Sequence, residues 1–109
     1  MRKEKVFESE VMVSSDVKDK LFTKHNIEIW EIEEVIYDDQ YALYLTHQDC
    51  YFIYGQTFSG RNLLVLVRVL SKQETGELGY EPSADVLKII TARDMNQKQR
   101  RMYNKRKGA

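Results

Sequence analysis

Basic side chains near the carboxyl-terminal end of the sequence are the groups best suited to bind a phosphate. Arg93 directly follows a run rich in β-branched residues. A guanidinium at the end of a strand can hold a phosphate by two parallel hydrogen bonds. The alternative is that Arg93 pairs with Asp94 or with an acidic residue of the second helix predicted below.

A cluster of cations follows Arg93. Its members include Lys98, Arg100, Arg101, Lys105 and Arg106. Each phosphate that such a cluster neutralises raises the salt dependence of binding by about one unit of logarithmic slope. As a group, these residues are more specific evidence for a polyanionic ligand than any one of them alone.

The net charge of zero conceals an asymmetry along the chain. The sequence has 17 basic and 17 acidic residues, yet residues 88–107 hold eight basic residues and one acidic residue. That segment carries a charge of +7, and the rest of the chain carries −7. The distribution is typical of a local contact with a polyanion. The alternative is a solvated terminal helix whose charges keep the protein soluble.

Four further side chains could transfer protons or contact a phosphate. Histidine changes its charge near neutral pH, so His25, beside Lys24, could donate or accept a proton, or it could only complement a helix end. Tyr103 is a weak acid, with an ordinary pKa of about 10, and its alternative role is packing of the last helix. Arg61 follows the turn at 59–60, where it could contact a phosphate or simply be exposed.

The motifs of several enzyme classes are absent from the sequence. It has no phosphate-binding glycine loop, no HExxH motif and no cysteine pair for zinc. Two histidines and one cysteine make no convincing set of metal ligands. We therefore expect neither a cofactor nor a metal.

Length and composition predict one soluble domain over residues 1–109. A chain of this length, 42% hydrophobic, has room for one core. The single cysteine cannot form an internal disulfide, which favours a reducing compartment. The longest apolar run, 63–67, is far too short to span a bilayer, and no secretory segment follows the basic N-terminus. We expect a cytoplasmic protein without a membrane contact.

Two helices near the N-terminus would position His25. The first is predicted to begin after a serine N-cap at 14 or 15 and to end near His25, with Asn26 as its left-handed C′ residue. The second begins near Ile29, where apolar residues recur at spacings of three and four, and it ends at 38–39. The two form a helical hairpin.

The rest of the chain reads mainly as strands. Segments rich in β-branched and aromatic residues are 41–46, 51–54, 63–70 and 86–91, with a further strand within 5–13. Short connections favour antiparallel pairing, and 71–85 is predicted to be a loop. A final helix runs from 97 to about 105, with Asn96 as its N-cap. The fold class is α+β: a helical hairpin, an antiparallel sheet of four to five strands and a C-terminal helix.

The order of these motifs resembles the BrnT-like toxins of bacterial type II toxin–antitoxin systems, which have a RelE-like ribonuclease fold. Residues 24–39 resemble the family's "KHGV…EEA…VFDD" hairpin, and 52–67 resemble its strand, glycine, turn and hydrophobic strand. Residues 89–103 resemble its "IISAR…ERRRY" ending, which is the most specific block. Together the three blocks span most of residues 15–104.

The resemblance implies an RNA-cleaving toxin neutralised by a small BrnA-like antitoxin with a ribbon-helix-helix end. The toxin would contact operator DNA only through this antitoxin. The reaction would need no metal, because the ribose 2′-hydroxyl attacks the neighbouring phosphate. Carried over by position, Arg93 would stabilise that phosphate. Lys24, His25 and Tyr103 would transfer protons or position the reacting groups.

Three positions differ from the pattern of the family. Asn26 replaces the usual glycine, which is a mild change because asparagine tolerates the same backbone region. Gln99 stands where many members have an acidic residue, and Cys50 stands where they commonly have arginine. Glutamine cannot act as a base, so Gln99 favours an alternative function. In that alternative, a non-catalytic protein of the same fold binds nucleic acid or a partner protein through the basic final helix.

Overall fold

The computed structural model describes residues 9–108. The strands are β1 (Glu10–Met12), β2 (Leu43–His47), β3 (Cys50–Gln56), β4 (Asn62–Val69) and β5 (Val86–Asp94). The helices are α1 (Ser15–His25), α2 (Ile29–Glu33), α3 (Lys72–Glu77) and α4 (Gln97–Gly108). A π-helical turn (Glu34–Asp38) continues α2. Of the strand predicted within 5–13, residues 5–8 lie outside the described part of the chain.

The five strands form one sheet in the order β1-β5-β4-β3-β2. Neighbours among β2 to β5 are antiparallel, as predicted from the short connections. β1 runs parallel to β5, with Glu10 in register with Val86, so the sheet is mixed and not antiparallel throughout. Between β4 and β5 the predicted loop is partly wrong, because it contains α3.

The helical hairpin has the predicted caps. The Ser14 side chain accepts a hydrogen bond from the Val17 N–H at 3.3 Å, which begins α1. Asn26 has φ 53° and ψ 42°, so it ends α1 in the left-handed conformation that asparagine tolerates. The short connection brings α2 back against the same face of the sheet as α1.

The main core lies between the helical hairpin and one face of the sheet. Buried residues of the hairpin, such as Leu21, Ile32 and Ile36, pack with strand residues such as Ile53 and Val65. On the opposite face, α4 covers one end of the sheet. There Tyr103 is fully buried against Leu64 and Met95.

We call the part of this second face between α4 and the Arg68–Glu74 pair the open face. In register across it stand Leu45, Phe52, Leu66 and Thr91. A register shift at Leu66/Val67 leaves Ile90 outside the ladder of pairs. A bulge of this kind re-aims the following side chains. Thr91 and Arg93 therefore share the open face, while Ala92 is buried in the main core.

Candidate active site

Arg93 lies near the end of β5, in register with Leu64, and its side chain is exposed. Its Nη1 donates to the backbone oxygen of Asp94 at 3.0 Å and to Oε1 of Gln99 at 3.3 Å. Within residues 9–108 no carboxylate forms a salt bridge with Arg93. The alternative pairing with Asp94 is therefore not formed, and the guanidinium keeps both its charge and free donors for a ligand.

A cavity of about 200 Å³ lies beside Arg93 on the open face. Its lining is largely apolar, with Phe52, Leu64 and Leu66 among the residues, and His25 and Arg93 supply its charged or titratable groups. A cation beside an apolar hollow suits a ligand that has both a phosphate and a flat ring, because the two parts need different surroundings.

A second cavity, of about 210 Å³, lies along α1 and includes Lys24 and His25 in its lining. His25 and Thr91 line both cavities, which are therefore neighbours. Arg93, His25 and Lys24 thus lie in one region along β5.

Arg61 holds this region together. All five of its N–H groups are used: Nε and Nη2 donate to the carboxylate of Asp94 at 2.8 and 3.1 Å, and Nη2 also donates to the His25 carbonyl at 2.7 Å. Nη1 donates to the Asn26 carbonyl at 2.7 Å and to Glu31 at 3.2 Å. A guanidinium with no free donor is unsuited to the predicted phosphate contact, so its geometry gives Arg61 a structural role.

The pKa shifts of Asp94 and Arg61 reflect their pairing. Hydrogen bonds and the positive charge of Arg61 lower the pKa of Asp94, to which the nearby His25 also contributes. Hydrogen bonds to Asp94 and Glu31, and the negative charges of both, raise the pKa of Arg61. Asp94 thus remains ionised and paired with Arg61, although it adjoins Arg93 in the chain.

Tyr103 does not reach the cavity. Its hydroxyl is buried and donates to Oδ2 of Asp39 at 2.7 Å, and the same oxygen accepts the Gln56 N–H at 2.8 Å. Burial and the charge of Asp39 raise the pKa of Tyr103. The tyrosine is therefore a poor proton donor, and its position fits the alternative of packing α4 on the sheet.

The basic side chains of α4 divide into two groups. Arg100 donates to the Met95 carbonyl at 3.0 Å, and Arg106 donates to the Tyr41 carbonyl at 2.9 Å. The other predicted cations are Lys98, Arg101 and Lys105. These three are exposed and form no hydrogen bond or salt bridge with another described residue. They remain available to a polyanion.

Gln99 has a function that the sequence analysis did not assign to it. Its Oε1 accepts the Asn96 N–H at 2.9 Å, and the Asn96 side chain accepts the Gln99 N–H at 2.9 Å. This is a capping box, and its signal, Asn-x-x-Gln, is present in the sequence. Since the same Oε1 also accepts from Arg93, Gln99 orients the guanidinium while it begins α4.

Cys50 lies at the far end of β3 from this site. It is in register with Arg68, whose guanidinium forms two hydrogen bonds with Glu74 at 2.9 and 2.7 Å. Neither residue lines the cavity beside Arg93. The absence of arginine at position 50 therefore leaves the geometry around Arg93 unaffected.

Comparison with solved structures identifies the fold. The chain superposes on the crystal structure of the Brucella abortus ribonuclease toxin BrnT with a TM-score of 0.57, covering 82% of this chain and 99% of that one. The chain has the BrnT fold. The sequences are 13% identical, so the likeness concerns the fold. The similarity to BrnT expected from the motif order is confirmed at that level, as is the α+β class.

Sequence comparisons alone give no match. No protein-family model matches the chain, and no curated protein is significantly similar to it. The blocks at 24–39 and 89–103, on which the resemblance is based, lie in the helical hairpin and in the corner between β5 and α4.

Proposed function

We propose that this protein is an endoribonuclease toxin of a type II toxin–antitoxin system, with the reaction centred on Arg93. The observation that carries the proposal is an exposed guanidinium, without a carboxylate partner among residues 9–108, beside a cavity that His25 also lines. The likeness to a ribonuclease toxin supports the same conclusion. So do the unpaired cations of α4, which suit a nucleic-acid backbone.

In the proposed reaction, a ribose 2′-oxygen attacks the adjacent phosphorus. His25 accepts the proton of that hydroxyl, the new O2′–P bond forms and the P–O5′ bond breaks. Lys24 donates a proton to the departing 5′-oxygen. Arg93 donates hydrogen bonds to the phosphate oxygens as their negative charge grows, which lowers the barrier. The products are a 2′,3′-cyclic phosphate and a 5′-hydroxyl, and no metal is needed.

The rest of the open face would bind the RNA around the scissile phosphate. Phe52 and Leu66 offer apolar area on which a base can lie, and stacking of bases on aromatic rings tolerates many sequences. Arg101 and Lys105 on α4 would contact further phosphates. Arg61 is not part of this binding surface, since its donors are already used.

The partner expected for such a toxin is a small BrnA-like antitoxin with a ribbon-helix-helix end, through which the pair would bind operator DNA. RNA as substrate implies a cytoplasmic location. No helix within residues 9–108 is long and apolar enough to cross a membrane.

A second candidate function is RNA binding without cleavage. It is favoured by the buried position of Tyr103, which removes one of the three proton-transfer candidates from the reaction. In this case the α4 cations bind RNA, and Arg93 only adds affinity.

The test is to incubate the purified protein with single-stranded RNA at low salt in the presence of EDTA. We expect cleavage that yields cyclic-phosphate ends. A matched RNA with a 2′-deoxy nucleotide at the cleaved position should stay intact, because its nucleophile is missing. Intact RNA with folded protein, accompanied by salt-sensitive binding, would replace the proposal with the non-catalytic function. The absence of both cleavage and binding would reject both proposed functions.

A further inference from the structure

We infer that a surface formed by α2 and the β3–β4 turn is a docking site for a basic, amphipathic helical segment of a partner protein. We call it the acidic–aromatic surface, and its members are Trp30, Glu33, Glu34, Asp38 and Phe58. The inference is independent of the proposed ribonuclease activity, since none of these residues lines the cavity beside Arg93.

Two exposed aromatic residues, Trp30 and Phe58, are each joined to Glu34 by a hydrogen bond from or to their backbone. The Glu34 N–H donates to the Trp30 carbonyl within the helix, so the two residues lie one turn apart. The Phe58 N–H donates to Oε1 of Glu34 at 3.1 Å, which brings the β3–β4 turn against the end of α2. The Trp30 side chain is 55% exposed and Phe58 76%. Large exposed aromatic groups are typical of interfaces.

Acidic residues outnumber basic ones on this surface, although Lys107 lines a hollow together with Asp38 and Phe58. Residues 28–39 include six acidic residues and no lysine or arginine. Glu31 and Asp39 are used inside the protein, by Arg61 and Tyr103. Glu33 and Asp38 remain exposed. Arginine and lysine side chains complement both the carboxylates and the aromatic ring faces.

A helix of alternating apolar and basic faces fits these features better than RNA or a second copy of the chain. RNA is repelled by the carboxylates. A second copy could supply its own basic α4, but that contact joins different surfaces of the two copies, and such contacts produce open chains of molecules unless the rotation closes. A separate partner segment can bind without such a closing rotation.

The experiment uses Trp30, the only tryptophan in the chain, as an intrinsic fluorescent probe. The full-length protein is titrated with a synthetic amphipathic helix of leucine and arginine, and separately with a scrambled peptide of the same composition. We expect a saturable change in Trp30 emission with the first peptide and a weak response to the second. Raised salt should weaken the binding.

Three variants test whether the peptide binds at the acidic–aromatic surface. Phe58→Ala and Glu34→Gln should each weaken the peptide by about tenfold, the effect of losing one central contact of an interface. Glu34→Gln removes the charge but keeps an oxygen for the Phe58 N–H. Phe22→Ala should bind as the parent does, because Phe22 is 53% exposed on α1, outside the acidic–aromatic surface. Circular dichroism checks that each variant is folded.

Several results would overturn the inference. Equal binding of both peptides would mean that charge alone attracts them. Unchanged affinity in folded Phe58→Ala and Glu34→Gln would show that the peptide binds elsewhere on the protein. The absence of any peptide binding would reject the docking site. Concentration-dependent self-association that Phe58→Ala abolishes, measured by sedimentation, would assign the surface to a second copy of the chain.

Discussion

Arg61 and Asp94 form a two-pronged salt bridge, with Nε to Oδ1 at 2.8 Å and Nη2 to Oδ2 at 3.1 Å. Asp94 adjoins Arg93 in the chain, and without a partner its carboxylate would be the nearest anion for that guanidinium. The Arg61 pair holds the carboxylate of Asp94, so Arg93 keeps its charge for a ligand. Arg61 thus has a structural role that leaves Arg93 free to bind a ligand.

Replacing Arg61 should therefore affect both stability and activity. Arg61→Met removes hydrogen bonds to two carbonyls and leaves Glu31, whose side chain is 9% exposed, without its cation. We expect a loss of about 2 kcal/mol in the free energy of unfolding, measured in urea. The matched control is Arg68→Met, since Arg68 pairs with the more exposed Glu74 and its replacement should cost clearly less stability. Equal losses would contradict this account of Arg61.

The two arginine–carboxylate pairs also predict a dependence of stability on pH. Arg61 lowers the pKa of Asp94, and hydrogen bonds from Arg68 and Ser71 lower the pKa of Glu74 to about 2. A carboxyl whose pKa is lower in the folded than in the unfolded state stabilises the fold above its unfolded pKa. That stability is lost as the pH falls through the folded pKa.

We therefore expect the urea midpoint to fall as the pH is lowered from about 5 towards 2. In Arg61→Met the fall should be shallower, because the lowered pKa of Asp94 then returns towards its ordinary value. A parallel decline in the two proteins would show that the Arg61–Asp94 pair contributes nothing to acid sensitivity.

Gly55 permits the close approach of the π-helical turn to β3. A Cβ at this position would lie 2.5 Å from Cγ1 of Val35, whose side chain is fully buried, and 3.2 Å from Oδ2 of Asp39. Gly55→Ala should therefore cost about 1–3 kcal/mol, measured by thermal or urea unfolding. Gly76→Ala is the control, since nothing lies within 4 Å of its added Cβ and alanine favours helix. Stability unchanged by Gly55→Ala would show that the core there can shift without cost.

A Tyr103 variant can distinguish a structural role of its hydroxyl from a catalytic one. Tyr103→Phe keeps the packed ring and removes the hydrogen bond to Asp39, so we expect a loss of about 1 kcal/mol in stability. Cleavage of RNA should continue at a rate close to that of the parent protein, because the hydroxyl is buried away from the cavity. Loss of cleavage in the folded variant would return Tyr103 to the catalytic set.

Local signals in the sequence predicted the parts of the fold that local interactions determine. The serine cap of α1, the left-handed Asn26 and the corner at Arg93 all depend on neighbours a few residues away. The same kind of signal was present but overlooked in two places. Ser71 with Glu74 forms the capping box that begins α3, and Gln99 completes the one that begins α4.

Other features depend on partners far along the chain. β1 pairs with β5, and the parallel direction of that pair is set by the whole path between them. Arg61 contacts α1, α2 and the end of β5, which no spacing in the sequence joins. The sequence leaves two roles open to Tyr103, proton transfer or packing of the last helix, and only its contacts with the distant Asp39 and Leu64 favour packing.

The central claim is that the free Arg93 guanidinium promotes RNA cleavage, and the most direct test is the cleavage rate of Arg93→Ala at low salt with EDTA. We expect a loss of about a hundredfold or more, as when a charge-stabilising donor is removed, with an unchanged urea midpoint because the side chain is exposed. The matched Arg68→Ala variant should cleave at the parent rate. Cleavage by folded Arg93→Ala at the rate of the parent protein would contradict the account.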